Sequence, residues 1–231
     1  MRRGESGRRI VTVATKSPSK KKKTTAKLSI PDAYWESLLE HGAPPASVFK
    51  FCKEHGITER EFYSEHGSFE AIEADFWKQT VDDTLATLNA DKDVELYDSR
   101  QLLLAFYYTY FEQALDHRSR FLLRFPSLKS MGSSSLKGFR HAFKEFAASL
   151  MAKARDEDLV TDVKRLNDLQ ERGLYPQFRF LIDFYVKDNS RGFEDTDALI
   201  EKSVRFFFDT ARLPAFESTV DLFRFLLPRL R

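Results

Sequence analysis

The sequence predicts an all-α protein, a small N-terminal three-helix module followed by a larger helical body. Three observations lead there. Apolar residues recur at helical spacing over most of the chain. The tripeptide Glu-His-Gly occurs three times between residues 40 and 67. No stretch shows sustained strand alternation bounded by turns.

The first helices are delimited by their ends. Glu40-His41-Gly42, Glu54-His55-Gly56 and Glu65-His66-Gly67 each read as a helix stop. A glycine just past the last turn accepts the left-handed conformation, and a histidine in that turn meets the negative end of the helix dipole. Pro44 and Pro45 are expected at the start of the second helix, where a missing N–H costs nothing. Thr58 is placed to cap the third, with Glu61 completing a capping box.

Ser68 can cap a fourth helix reaching about residue 90, with Glu70 and Glu73 in its first turns and Phe69, Ile72, Phe76, Trp77, Val81, Leu85 and Leu88 at helical spacing. Asp98 opens another, whose run from Leu102 to Phe111 is apolar nearly all round, as in a central buried helix. Further helices are expected over 118–127, 134–155, 159–187, 195–212 and 218–230, with Gly173 and Pro176 breaking or kinking the one over 159–187.

The 231 residues are 42% hydrophobic and include 22 Phe, enough for a sizeable core. No run of 18 apolar residues exists, and the basic N-terminus lacks the apolar stretch of a secretory signal. The single cysteine, Cys52, excludes an internal disulfide framework and fits a reducing, cytoplasmic setting. Net charge is +2, but residues 1–27 hold ten Lys/Arg against Glu5, a tail of +9 on a body of −7. That tail has no apolar periodicity and is expected to be disordered, serving either as a solubilising segment or as an arm for a polyanion.

Residues 48–72 resemble the N-terminal signature of the TetR family of transcriptional regulators. In that signature a helix, a glycine turn and a second helix with an aromatic–Tyr pair lead into a fourth helix. The matching positions are Gly56, Ile57, Thr58, Phe62, Tyr63, Ser68, Glu70, Ala71 and Ile72, and the later part of the chain resembles a TetR-like C-terminal domain. The resemblance implies a helix-turn-helix domain over 28–77 and a ligand-binding and dimerisation domain over 78–231. It further implies a homodimer whose helix-turn-helix units enter successive major grooves. Carried over by position, Thr58 and Tyr63 would contact phosphates, and Arg60, Glu61 and Ser64 would face the bases, with Lys50 joining from the preceding helix. Two positions depart from the family: its usual Lys at the start of helix four is Phe69 here, and the aromatic that closes the recognition helix is His66. Residues 31–77 carry three basic side chains (Lys50, Lys53, Arg60) against ten acids. Neutralised phosphates supply most DNA affinity, so that balance opposes binding unless the basic tail compensates.

Other constellations point away from catalysis. His41, His55 and His66 lack the spacing of helical metal ligands, no metal or cofactor is implied, and no nucleophile elbow or phosphate-cradling loop occurs. Phe106, Tyr110, Phe121, Phe125, Phe143, Phe146, Phe180 and Phe184, with Phe111, Phe139 and Tyr185 nearby, fall at spacings that let several share an interior. They read as an ordinary Phe-rich core or as the lining of an elongated apolar pocket. Phe206-Phe207-Phe208, with Ile200, Val204, Leu213 and residues 178–186, is expected to form a two-helix dimer face. The last helix, with Val220, Phe223, Leu226, Leu227 and Leu230 beside Arg224, Arg229 and Arg231, docks on its own domain or on a membrane surface. Two functions follow: a homodimeric DNA-binding regulator with an apolar effector, or a TetR-fold protein without sequence-specific DNA binding that holds a lipid or isoprenoid-like molecule near a membrane.

Overall fold

The computed structural model describes residues 28–130, 132–162 and 164–212. The basic tail and the helix expected over 218–230 lie outside them. Among the described residues every regular element is helical, and no helix is long and apolar enough to cross a membrane. The α-helices run α1 Ile30–His41, α2 Val48–His55, α3 Glu59–Glu65, α4 Phe69–Ala90, α5 Ser99–Asp116, α6 Arg118–Arg124, α7 Lys137–Asp156, α8 Lys164–Lys187 and α9 Glu194–Ala211.

Local chemistry sets the N-terminal ends. Ser29, Ser47, Thr58, Ser68 and Asp98 each cap a helix by accepting a backbone N–H, and Thr58–Glu61 and Asp98–Gln101 form reciprocal capping boxes. Gly42 and Gly56 close α1 and α2 at φ 70° and 64°, and His41 Nδ1 lies 2.8 Å from the Ser37 carbonyl oxygen in the last turn. The third Glu-His-Gly behaves differently. His66 leaves α3 extended, at φ −136°, because Ser68 must itself be extended to cap α4 two residues later. Pro44 and Pro45 also fall outside α2, whose cap is Ser47. Gly173 and Pro176 do not interrupt α8, which runs through both.

Helix α5 lies at the centre, packed against α4, α6, α7 and α9. Its Leu103, Phe106, Tyr107, Tyr110 and Phe111 are all buried, as its all-round apolar pattern requires. The expected stripe on α4 also faces inward, with Phe69, Ile72, Trp77, Val81 and Leu88 buried.

Helix α6 has only seven residues but ties several elements together. Arg124 Nε donates to Glu73 Oε1 at 2.7 Å and its Nη2 to Oε2 at 3.2 Å, while the Tyr34 hydroxyl donates to the same Oε1 at 2.5 Å. This joins α1, α4 and α6 around a carboxylate that is 6% exposed. Burial, and then the bond to Glu73, push the Tyr34 hydroxyl pKa far up, so it stays a donor. Arg120 lies over the Trp35 and Phe76 rings at 5.0 and 4.7 Å. Arg118 donates to the Tyr185 and Asp188 carbonyls, both at 2.9 Å, at the end of α8.

Asp188 fastens the α8–α9 corner. Its carboxylate accepts from Thr196 Oγ1 at 2.6 Å, from the Thr196 N–H at 3.0 Å and from the Ser190 N–H at 2.7 Å. Burial pushes this carboxyl up, but the Thr196 and Ser190 hydrogen bonds outweigh it and hold the pKa down at about 2.

Two outcomes follow from these ties. Removing one partner of a buried ion pair leaves the other charge uncompensated, so Arg124→Ala is expected to cost about 3 kcal/mol in urea unfolding. A loss under about 0.5 kcal/mol, the size of an exposed pair, would show that the Glu73 bond carries little. For Asp188 the folded pKa lies below the unfolded value of 3.8, so its contribution is complete above that value and disappears as the pH falls to about 2. The stability gap between wild type and Asp188→Asn should close over that window, and a gap independent of pH would contradict it.

Candidate functional site

The helix-turn-helix is held by an aromatic knot. Phe51 of α2, Phe62 of α3 and Phe69 of α4 meet edge to face at centroid distances of 5.4 to 6.1 Å, and Tyr34 of α1 stacks on Phe69 at 4.9 Å. Phe69, standing where the family's Lys would reach a phosphate, is therefore a core residue. His66 packs its ring 6.3 Å from Phe62, roughly where the closing aromatic would sit.

With Phe62 buried, the opposite side of α3 faces solvent. Arg60, Tyr63 and Ser64, at i, i+3 and i+4, are all exposed, Tyr63 at 54%. Lys50 is exposed on α2, 3.9 Å from Glu54. The structure thus gathers Arg60, Tyr63 and Ser64 on one outer face, although the Ser64 hydroxyl already donates to the Glu61 carbonyl at 2.7 Å.

Thr58 and Glu61 form the expected capping box, which engages the two side chains that the resemblance would turn to phosphate and bases. Glu61 Oε2 accepts from the Thr58 N–H at 2.7 Å and from its hydroxyl at 2.8 Å. A carboxylate thus occupies the helix start, where exposed N–H groups and the dipole would otherwise favour a phosphate. Glu54, Glu59, Glu65 and Glu70 are exposed around it. Glu73, counted with these acids from sequence, is instead buried and neutralised by Arg124. That partner, 51 residues away, carries no local signal.

The aromatic interior centres on Phe178, absent from the expected pocket residues. Its ring lies 4.5 Å from Phe143, 4.7 Å from Tyr110 and 5.4 Å from both Phe106 and Phe139. Phe146 stacks on Phe106 at 4.5 Å. Phe121 and Phe125 form a second group on Trp77, at 5.1 and 5.0 Å, joined to the first by Tyr110–Phe121 and Phe125–Phe139. Six of the eight expected residues therefore meet. Phe184 is half-buried, and Phe180 is 47% exposed, because the inward stripe of α8 is Leu174, Phe178, Leu181, Ile182 and Tyr185. Burial pushes the Tyr107 and Tyr110 hydroxyls well up, keeping both neutral. A shallow depression of about 190 Å³ lies elsewhere, between Leu39 and residues 115–120.

The expected dimer face divides in the same way. Ile200, Val204, Phe207 and Phe208 pack inward, as do Phe178, Arg179, Leu181, Ile182 and Tyr185. Phe206, at 56%, and Phe180 are the large rings left on the surface of α8 and α9. Leu213 lies outside the described residues. The helical period of α8 could have found this division, since positions 174, 178, 181 and 185 share one face and 180 does not.

Residues 102–226 match the family described as the tetracyclin repressor-like C-terminal domain. The chain belongs to the TetR-like family. The match begins within α5, covers more than half of the chain and contains the whole aromatic interior around Phe178. The TetR-like N-terminal module lies before it and rests on its own motif and helix order. No curated protein and no solved structure is similar enough to the chain to count as a match.

One residue of the TetR-like body had no sequence signal. Arg179 is fully buried among the aromatics, its Nη2 donating to the Pro126 and Ser127 carbonyls and its guanidinium 4.9 Å from the Phe125 ring centre.

Proposed function

We propose that this TetR-like chain is a homodimeric DNA-binding transcriptional regulator whose apolar effector enters the aromatic interior of a C-terminal domain over 78–231, and that it is not an enzyme. The observation that carries this reading is the outer face of α3. A helix anchored by Phe62 leaves Arg60, Tyr63 and Ser64 exposed together, the arrangement a recognition helix needs to reach base edges from a major groove. Thr58 and Glu61 then act first as the helix cap, and Lys50 supplies a phosphate contact from α2. The +9 tail provides phosphate neutralisation that the acidic module lacks, giving affinity while α3 gives choice. Phe180 and Phe206 are the surface rings through which α8 and α9 would meet a second copy. A cytoplasmic location suits both this function and the buried free thiol of Cys52.

One observation favours a second reading. The Glu61 carboxylate on the α3 start and the burial of Phe69 remove two phosphate contacts of the family. A TetR-fold protein that has given up sequence-specific DNA binding to hold a lipid or isoprenoid-like molecule would look like this. Residues 218–230 would then provide its peripheral membrane contact.

Gel shifts of genomic fragments at about 150 mM salt separate the two. The regulator should prefer a subset of fragments, with Arg60→Ala weakening that subset by about 1–3 kcal/mol. Deleting residues 1–27 should weaken all fragments alike and flatten the salt dependence. If the full chain shows no preference and all binding leaves with the tail, the second reading takes over. Dimerisation is checked separately by light scattering at micromolar concentration, where wild type should be a dimer and Phe206→Asp should shift toward monomer. A monomeric wild type would remove the homodimer.

A further inference from the structure

Helix α8 carries a charge into the aromatic interior without a counter-charge. Arg179 is 0% exposed, and among the described residues no carboxylate lies within 4.0 Å of it. Its Nη2 is used by the Pro126 and Ser127 carbonyls, but Nε and Nη1 have no hydrogen-bond partner among the described residues. Stacking on Phe125 does not supply one, because a ring face attracts the cation without accepting these in-plane N–H groups. Buried polar groups are ordinarily paired, and a buried charge more strictly so.

Other buried polar groups among the described residues are also unmet. Tyr175 precedes Arg179 by one helical turn on the same face of α8, is 5% exposed, and its hydroxyl also has no partner. From α7 the Arg140 guanidinium carbon lies 5.9 Å from the Tyr175 ring centre, and its Nε is buried without a partner. Ring contacts link them: Arg179 lies over Phe125, whose ring is 5.8 Å from Phe139, and Phe139 is 6.3 Å from the Tyr175 ring. Phe139 and Phe143 lie beside Tyr175, each at 6.3 Å.

We infer that the effector is an organic anion, a carboxylate on an apolar body, held by Arg179 with Tyr175 and Arg140 at its headgroup. This rests on the effector-pocket reading above and narrows it to a ligand class. The guanidinium and the Tyr175 hydroxyl donate to the carboxylate oxygens, and the surrounding rings cover the hydrocarbon. An ionised carboxylate brings two acceptor oxygens to these donors and no proton of its own.

Thermal unfolding of the full chain, titrated to about 1 mM with decanoate and decan-1-ol and with 4-phenylbutyrate and 4-phenylbutan-1-ol, tests this through ligand-linked stabilisation. The acids should bind about tenfold or more tighter than the matched alcohols. Arg179→Gln should bring that ratio to about one, and Arg179→Lys should keep part of it. Equal binding of acid and alcohol by wild type overturns the anion assignment and leaves the apolar pocket standing. No binding of any probe overturns both. An acid preference that survives in Arg179→Gln overturns the role of Arg179. Should Arg179→Gln fail to fold, the wild-type ratio still decides the ligand class.

Discussion

The Glu73 carboxylate, buried between α1, α4 and α6, is the interaction on which the arrangement of the N-terminal helices depends. A carboxylate this poorly exposed is tolerable only when its oxygens are filled, and here Arg124 and Tyr34 fill them from two other helices. The ion pair therefore restricts how α1 and α4 can sit on α6 more tightly than apolar contact alone would, because hydrogen bonds tolerate little displacement. Arg120 on Trp35 and Phe76, and Arg118 on the end of α8, extend the same logic in both directions from α6. A seven-residue helix with a modest apolar face gains its influence through three long side chains whose stems pack and whose heads reach neighbouring elements.

Charge on the helix-turn-helix has to be weighed residue by residue. Glu73 leaves the surface altogether, whereas Glu61 remains exposed but spends its carboxylate on the Thr58 cap. Glu54 faces Lys50, and Glu59, Glu65 and Glu70 stay exposed near Arg60. The outer face of α3 thus presents Arg60, Tyr63 and Ser64 among exposed carboxylates, a field that repels phosphate. Any DNA binding by this module would therefore depend on the basic residues of positions 1–27 more than it would in a basic module.

The aromatic interior can be read as a core from its ring contacts alone. Phe106, Tyr110, Phe139, Phe143 and Phe178 satisfy one another by edge and face contacts, so their number alone distinguishes nothing. Arg179 does distinguish it. A core selected for stability alone would gain by replacing a buried, partly unpaired guanidinium with an apolar side chain. Arg179 is the buried charge in this interior whose Nε and Nη1 meet no partner among the described residues.

The sequence by itself determined most helix ends, the stripe on α4, the buried Leu103–Phe106–Tyr107–Tyr110 face of α5 and the family resemblance. Each of these is written in residues within about a turn of one another, as Thr58 with Glu61 or His41 with Gly42. The third Glu-His-Gly misled because Ser68, the cap of the next helix, imposes its own backbone requirement two residues on. Tertiary structure alone decided that Glu73 belongs to Arg124, that Phe206 faces out while Phe207 and Phe208 face in, and that Arg179 meets no acid among the described residues. Those outcomes depend on which elements come together across many intervening residues. Burial, the quantity that turns a polar side chain from a solvated group into a constraint, exists only once they have done so.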